Sequence, residues 1–269
     1  MKKLIMGTSA ALLLSAATAS AADLAARPYT KAPPVAAQIF SWTGFYVGAN
    51  AGYGFGNDEN ITTTGQAAAN IANVLGGARP GSVRLDNDGF IGGGQIGYNW
   101  QFSPNWVFGL ESDIAYTDLR DTTRVTTTAL VGGASLNNTF ASRLEYLGTV
   151  RGRVGYAFDR TLIYATGGLA YGEVENSVNF FGPAGQLQFT GANRETKTGY
   201  TVGAGIEHAF TQNWSLKGEY LYYDLGRETV NVAVIPGNGG GGTGYNSTFR
   251  NDGHVVRAGI NYRFGGPIM

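Results

Sequence analysis

From Gly44 to Phe264 the chain keeps returning to a period of two, with apolar residues alternating with small or polar ones, and that restricts it to β-strands. In the first such segment Phe45, Val47, Ala49, Ala51, Tyr53 and Phe55 share one face, opposite Gly44, Tyr46, Gly48, Asn50 and Gly52. The same texture returns around Phe90–Phe102, Trp106–Tyr116, Leu144–Phe158, Tyr200–Phe210, Trp214–Tyr222 and Val256–Phe264. A strand near Leu162–Glu173, its faces unassigned, brings the expected number to eight.

The connections carry the topology. Three are short, Ser103–Asn105, Asp159–Arg160 and Thr211–Asn213, and four are long and polar, spanning about 57–88, 117–141, 174–196 and 226–253. Long and short alternate strictly, as in outer-membrane barrels with tight periplasmic turns and long external loops. Beyond the first 21 residues no apolar run approaches the roughly 20 residues of a spanning helix, so a membrane form must be a closed barrel. The expected fold is all-β: an eight-stranded antiparallel up-and-down transmembrane β-barrel with short periplasmic turns and four long external loops. Alternation alone also suits a soluble β-protein; export, loop asymmetry and aromatics at the strand ends favour the membrane. Asn99–Trp106 and His208–Trp214 echo each other, each with an aromatic before the turn and a tryptophan after it. Trp42, Trp100, Trp106 and Trp214 are therefore expected at the membrane–water interfaces.

Export is read from the start of the chain. Lys2 and Lys3 precede a mostly apolar Leu4–Leu14, and Ala17–Ala22 supplies the small residues of a cleavage site, placing a signal peptide over 1–21. Residues 22–41, with Pro28, Pro33 and Pro34, read as an extended periplasmic lead-in; 42–264 form the barrel and 265–269 a short tail. Loss of Lys2 and Lys3 takes 19 basic residues to 17 against 19 acidic ones, which lacks the basic footprint of a nucleic-acid binder. The absence of cysteine excludes disulfides and thiolate metal sites.

In a membrane barrel the polar face lines the lumen, and eight strands leave an interior just wide enough for side chains to fill. The expected lumenal charges are Glu111, Asp113, Glu145, Glu207 and Glu219 against Arg143, Arg151, Arg153, Lys217, Arg257 and Arg263, five acids and six bases. So close a match predicts a salt-bridged plug, since an unpaired buried charge is expensive.

Trp42-Thr43-Gly44-Phe45-Tyr46-Val47-Gly48-Ala49-Asn50-Ala51-Gly52-Tyr53, Gly148-Thr149-Val150-Arg151-Gly152-Arg153-Val154-Gly155-Tyr156 and the closing Asn261-Tyr262-Arg263-Phe264 resemble segments of a known family. It is that of the small alphaproteobacterial outer-membrane surface proteins, the porin-like, opacity-type β-barrels, and the resemblance spans about residues 40 to 264. It implies an eight-stranded barrel similar to the OmpA transmembrane domain, abundant in the cell outer membrane and often a surface antigen. It also implies that the last strand carries the signal read by the barrel-assembly machinery, with Tyr262 and Phe264 as its aromatic positions. Gly265–Met269 depart from the family pattern, in which the phenylalanine usually stands last.

Other motifs carry less. Gly92–Gly97 matches G-x-G-x-x-G but lies inside alternating sequence, not between a strand and a helix. Gly237–Gly244 lacks the lysine of a phosphate loop. Of two histidines, His208 falls near a periplasmic turn, and His254 lies near Ser247 and Asp252, a conceivable triad for chemistry on lipid A. No catalytic, cofactor or metal residue is assigned. The leading expectation is a structural, surface-exposed barrel protein contributing to envelope integrity and surface contacts; a narrow diffusion channel for small solutes is the alternative and a lipid A-modifying enzyme the remote one. Expected partners are outer-membrane lipid and lipopolysaccharide, the assembly machinery, and host or cell-surface ligands of the loops.

Overall fold

The computed structural model describes residues 40–56 and 59–264. The expected signal peptide (1–21), the tail (265–269) and the lead-in as far as residue 39 lie outside the described residues. The elements are β1 (Gly44–Gly56), β2 (Glu59–Gly65), α1 (Ala68–Leu75), β3 (Ser82–Leu85), β4 (Asp88–Gln101), β5 (Trp106–Thr128), β6 (Ser135–Phe158), β7 (Thr161–Phe181), β8 (Leu187–Ala209), β9 (Trp214–Val234) and β10 (Gly244–Phe264). Eight of the ten strands follow one another as antiparallel neighbours, β1-β4-β5-β6-β7-β8-β9-β10. β10 then pairs back onto β1, from Phe45↔Phe264 to Gly56↔Gly253, and closes the ring. β2 adds to the upper part of β10 (Thr62↔Thr248) and β3 to β2.

Strand length shows how the ring is divided. β5, β6 and β8 run 23, 24 and 23 residues. A tilted membrane-spanning strand needs only about 9–11. The outer wall marks the boundary. On β5 the outward residues from Trp106 to Tyr116 are Trp106, Phe108, Leu110, Ser112, Ile114 and Tyr116, and above them come Asp118, Arg120, Thr122, Arg124 and Thr126. The same change occurs after Tyr171 on β7, where Glu173, Glu175, Ser177 and Asn179 follow. Below that level large apolar side chains face outward, as lipid requires. Above it the polarity inverts: Phe140, Val178, Phe180, Phe189, Val230, Val232, Tyr245 and Phe249 point inward and pack with Ile61, Val83 and Leu85 of β2 and β3.

The segments expected as long polar loops are therefore largely strand. Only 129–134, 182–186 and 235–243 link the strands there, while 57–88 contains β2, α1 and β3. Threonine and asparagine on the outer face meet water, and the residues between them build a core of the soluble type on top of the membrane belt. At the opposite end the links are short, and Asp159, with φ 54°, makes the left-handed step in the two-residue turn between β6 and β7.

Bulges sit where the two halves meet. The β6–β7 register shifts between Leu144 and Tyr146, and the β9–β10 register between Arg250 and Asp252. Opposite the latter shift Gly226 takes φ 82°, a left-handed position that glycine fills without strain. Each bulge reverses the facing of its strand. On β6 the inward set runs Asn138, Phe140, Ser142, Leu144 and then Leu147, Thr149, Arg151, Arg153; on β9 it passes from Leu225 to Glu228.

Candidate functional site

The densest chemistry lies in the lumen at the level of the membrane belt. Alternation on β5, β6, β8, β9 and β10 sends eight charged side chains inward, the acids Glu111, Asp113, Glu207 and Glu219 and the bases Arg151, Arg153, Lys217 and Arg257, all nearly inaccessible to solvent. Arg151 is the hub, with its Nη2 2.5 Å from Glu111 and 2.9 Å from Asp113, its Nη1 3.0 Å from Glu219, and its Nε donating to Thr149 Oγ1 at 2.8 Å. Lys217 holds both oxygens of Glu111 at 2.8 and 2.9 Å. Arg257 bridges Asp113 at 3.0 Å and Glu219 at 2.7 Å. Arg153 lies slightly lower, 3.2 Å from Glu207, bonded through Nε to Asn99 and sandwiched by the rings of Tyr46 and Tyr164 at 4.8 and 5.1 Å. The equal count of acids and bases, with several hydrogen bonds to each, is what makes burial of so many charges tolerable.

Tyr46 donates to Glu111 at 2.8 Å and Tyr164 to Glu219 at 2.9 Å. Each tyrosine lies over a glycine directly across the sheet, Gly97 and Gly205, where a Cβ would come within about 2.5 Å of the ring or hydroxyl. An amide chain, Asn50 to Gln95 to Asn261, leads to Glu207. Tyr46, Asn50, Gln95, Asn99 and Asn261 stand on the polar strand faces that the alternation sets, but being uncharged they carried no expected role; Tyr164 lies on the strand whose faces the alternation left unassigned.

Three expectations are corrected. Arg143 and Glu145 are outside the lumen: the β6 bulge adds one residue between them and Arg151, so the pair faces the outer wall, 3.4 Å apart, with Glu145 held by Arg194 at 2.8 Å. Trp42 does not face lipid. It precedes β1, where no alternation sets its direction, and it folds under the barrel with its backbone N–H on Gln101 Oε1 and its indole N–H on the Asp159 carbonyl. Arg263 stays at that lower mouth, over the Phe40 and Trp42 rings and donating to the Gln212 carbonyl, without an ion pair among the described residues. Trp100, Trp106 and Trp214 do face outward, 56%, 46% and 41% exposed, beside the short turns.

The lumen is layered. Along β7 the inward residues run Leu162 and Tyr164, then Thr166, then Ala170 and Val174, then Asn176, then Val178 and Phe180. Phe40, Trp42, Val107, Ala157, Leu162 and Ala209 close the lower end. Leu119, Leu144, Leu147, Val174, Leu221, Leu225 and Val255 form an apolar layer above the charges. The upper core follows, with Arg79 buried inside it against Phe180 and donating to Asn138, Gln188 and the Phe181 carbonyl. Among the described residues, a small partly open cavity beside Trp42 and Glu207 and another beside Leu119 and Asn251 measure about 10 and 20 Å³, room for roughly one water each.

The other motifs do not assemble. Gly92–Gly97 lies within β4. Ser247 points inward to Thr63, whereas His254 is on the outer face of the same strand, stacked on Phe55 and bonded to the Tyr220 hydroxyl. His208 bonds Thr161 on the outer wall near the β6–β7 turn.

A family model described as outer membrane protein beta-barrel domain matches residues 8–264. The chain is 37% identical over 267 residues to the 31 kDa outer-membrane immunogenic protein of Brucella melitensis, covering 98% of this chain and 100% of that one. It is 32% identical over 189 residues to the 22 kDa outer membrane protein of Rhizobium leguminosarum, covering 68% and 64%. Among solved structures, the outer membrane protein OprG of Pseudomonas aeruginosa superposes with a TM-score of 0.51 at 13% identity, covering 86% of this chain and 100% of that one, a likeness of fold.

Proposed function

Because the chain belongs to the outer membrane protein beta-barrel domain family and is an outer-membrane protein, we propose that it serves as a structural, surface-exposed element of the envelope and not as a conduit. The observation that carries this reading is the filled lumen: a buried charge network held between apolar layers. Ions crossing it must break several desolvated ion pairs and pass Leu144, Leu147 and Leu221 as well. The part offered to the outside is the upper barrel with its three short links and the β2–α1–β3 excursion, and the naming of the Brucella relative as immunogenic supports a role for that part as an antigen and contact surface. Tyr262 and Phe264, at the end of the strand that closes the ring, are the positions we assign to recognition by the assembly machinery.

Conductance of the refolded protein in a planar bilayer tests the reading, with heat-modifiable gel mobility reporting folding. Folded protein should pass no steady current. Stable, reproducible steps from folded protein would replace this proposal with the narrow-channel reading.

A further inference from the structure

The helix of the external excursion turns its polar side chains to the protein and its apolar ones to the outside. Asn70 is fully buried, donating to the Gly241 carbonyl at 2.9 Å and accepting from the Thr243 and Gly244 N–H groups at 3.1 and 3.3 Å. Asn73 donates to the Tyr245 hydroxyl at 3.3 Å. Both asparagines of α1 are thus used to hold it down. Ala68, Ile71, Ala72 and Leu75, at the i, i+3, i+4, i+7 spacing of one helix face, are exposed, Leu75 by 83%. The link between β5 and β6 extends this apolar face. Leu130 lies against Gly76 at the end of α1, where a Cβ would come within 2.6 Å of it, and Val131 is 90% exposed. A surface helix ordinarily has the opposite arrangement, because exposed aliphatic area is unfavourable in water.

Charge vanishes over the same end of the barrel. Residues 60–78, 125–142, 176–193 and 229–249, which make up its outer parts, contain no Asp, Glu, Lys or Arg. Charges resume at once beyond them, at Arg124, Arg143, Glu175, Arg194, Glu228 and Arg250. Arg79, which follows the first stretch, is buried in the upper core. A protein partner calls for a polar rim whose charges set orientation, and an anionic surface calls for lysine or arginine. An uncharged end tipped with protruding aliphatic side chains instead matches a surface that is itself net-neutral and soft enough to admit them without a preformed socket. We propose that the outer end of the barrel docks on an apposed lipid bilayer of phosphatidylcholine type, with Ile71, Leu75, Leu130 and Val131 entering its interface. Phosphocholine carries both charges and no net one, so the tip meets no repulsion and brings no charge to desolvate. The inference rests on the surface-contact reading proposed above and names the partner of that surface.

The chain has no cysteine, so Val131→Cys carries a single environment-sensitive fluorophore at the tip. The protein is held in nanodiscs and mixed with an excess of phosphatidylcholine vesicles. Docking should shift the emission to the blue, equally in about 0.1 M and about 1 M salt, because no charge takes part. Adding Leu75→Asp and Leu130→Asp should weaken vesicle binding by about tenfold or more, with heat-modifiable mobility confirming the fold. If that variant does not fold, Leu75→Ser alone, at a side chain that faces outward, should still weaken binding. Unchanged emission on adding vesicles, undiminished binding by the folded variants, or binding that requires phosphatidylglycerol overturns the proposal. A blue shift without vesicles, on concentrating the protein, overturns it in favour of a second copy of this chain. Labelling of the Val131→Cys thiol on intact cells by a membrane-impermeant maleimide separates the two readings. A labelled tip that binds no vesicles removes only the membrane partner, and an unlabelled tip removes the surface role and the docking together.

Discussion

At the scale of single residues, Arg151 carries the greatest consequence. Its guanidinium touches three carboxylates that have no access to bulk water, Glu111, Asp113 and Glu219. Arg151→Met keeps much of the volume and leaves those acids short of one cation, so unfolding in urea from lipid vesicles should show a loss of about 3–5 kcal/mol. A loss below about 1 kcal/mol would mean that Lys217 and Arg257 suffice without it. Outside the membrane, Arg194 donates a hydrogen bond to Glu173, and that bond, reinforced by its charge, holds the Glu173 carboxyl below its ordinary range. A depressed folded-state value means the contact stabilises the fold above the unfolded pKa and is lost as the pH falls through the folded one. Arg194→Gln should return the Glu173 titration upward to the usual carboxylate range, as followed by NMR; an unmoved titration would dismiss the pair.

At the scale of elements, the bulges decide more than the strands they interrupt. One extra residue on β6 moves Arg143 and Glu145 to the wall while leaving Arg151 and Arg153 inside, because a period-two side-chain pattern reverses with every inserted residue. The upper strand segments are stabilised by a core of their own. Phe140 is fully buried there against Phe180, with ring centroids 5.7 Å apart. Phe140→Ala should cost about 3–5 kcal/mol. Amide exchange supplies a second check: residues 136–142 and 174–180 should be strongly protected, with fast exchange confined to links such as 129–134. Fast exchange throughout 117–141 would restore the long polar loop expected there from the sequence.

At the scale of the whole molecule, the barrel combines two environments in one ring of strands. Its lower part is polar inside and apolar outside, and its upper part is the reverse, so lipid and water select opposite faces of the same sheet. The closures are in series. Deleting residues 66–81, which removes α1 and Arg79, leaves both the Leu144–Leu221 layer and the charge network in place. That variant should therefore fold and still pass no steady current in a planar bilayer. Current appearing on deletion would identify the external excursion as the sole barrier.

The sequence by itself determined the strand type, the count of barrel strands, the short turns and the lipid-facing aromatics, because period-two alternation and turn residues are local properties of the chain. It also held, unread, the inverted alternation of Val174-x-Asn176-x-Val178-x-Phe180 and Tyr245-x-Ser247-x-Phe249, which polar neighbours disguised as loop. Most of the lumen charges were legible for the same local reason. Only the tertiary structure decided where alternation slips and which distant groups meet. A bulge is a mismatch between two strands, invisible in either alone, and the place of Trp42 beneath the barrel depends on Gln101 and Asp159, 59 and 117 residues away along the chain.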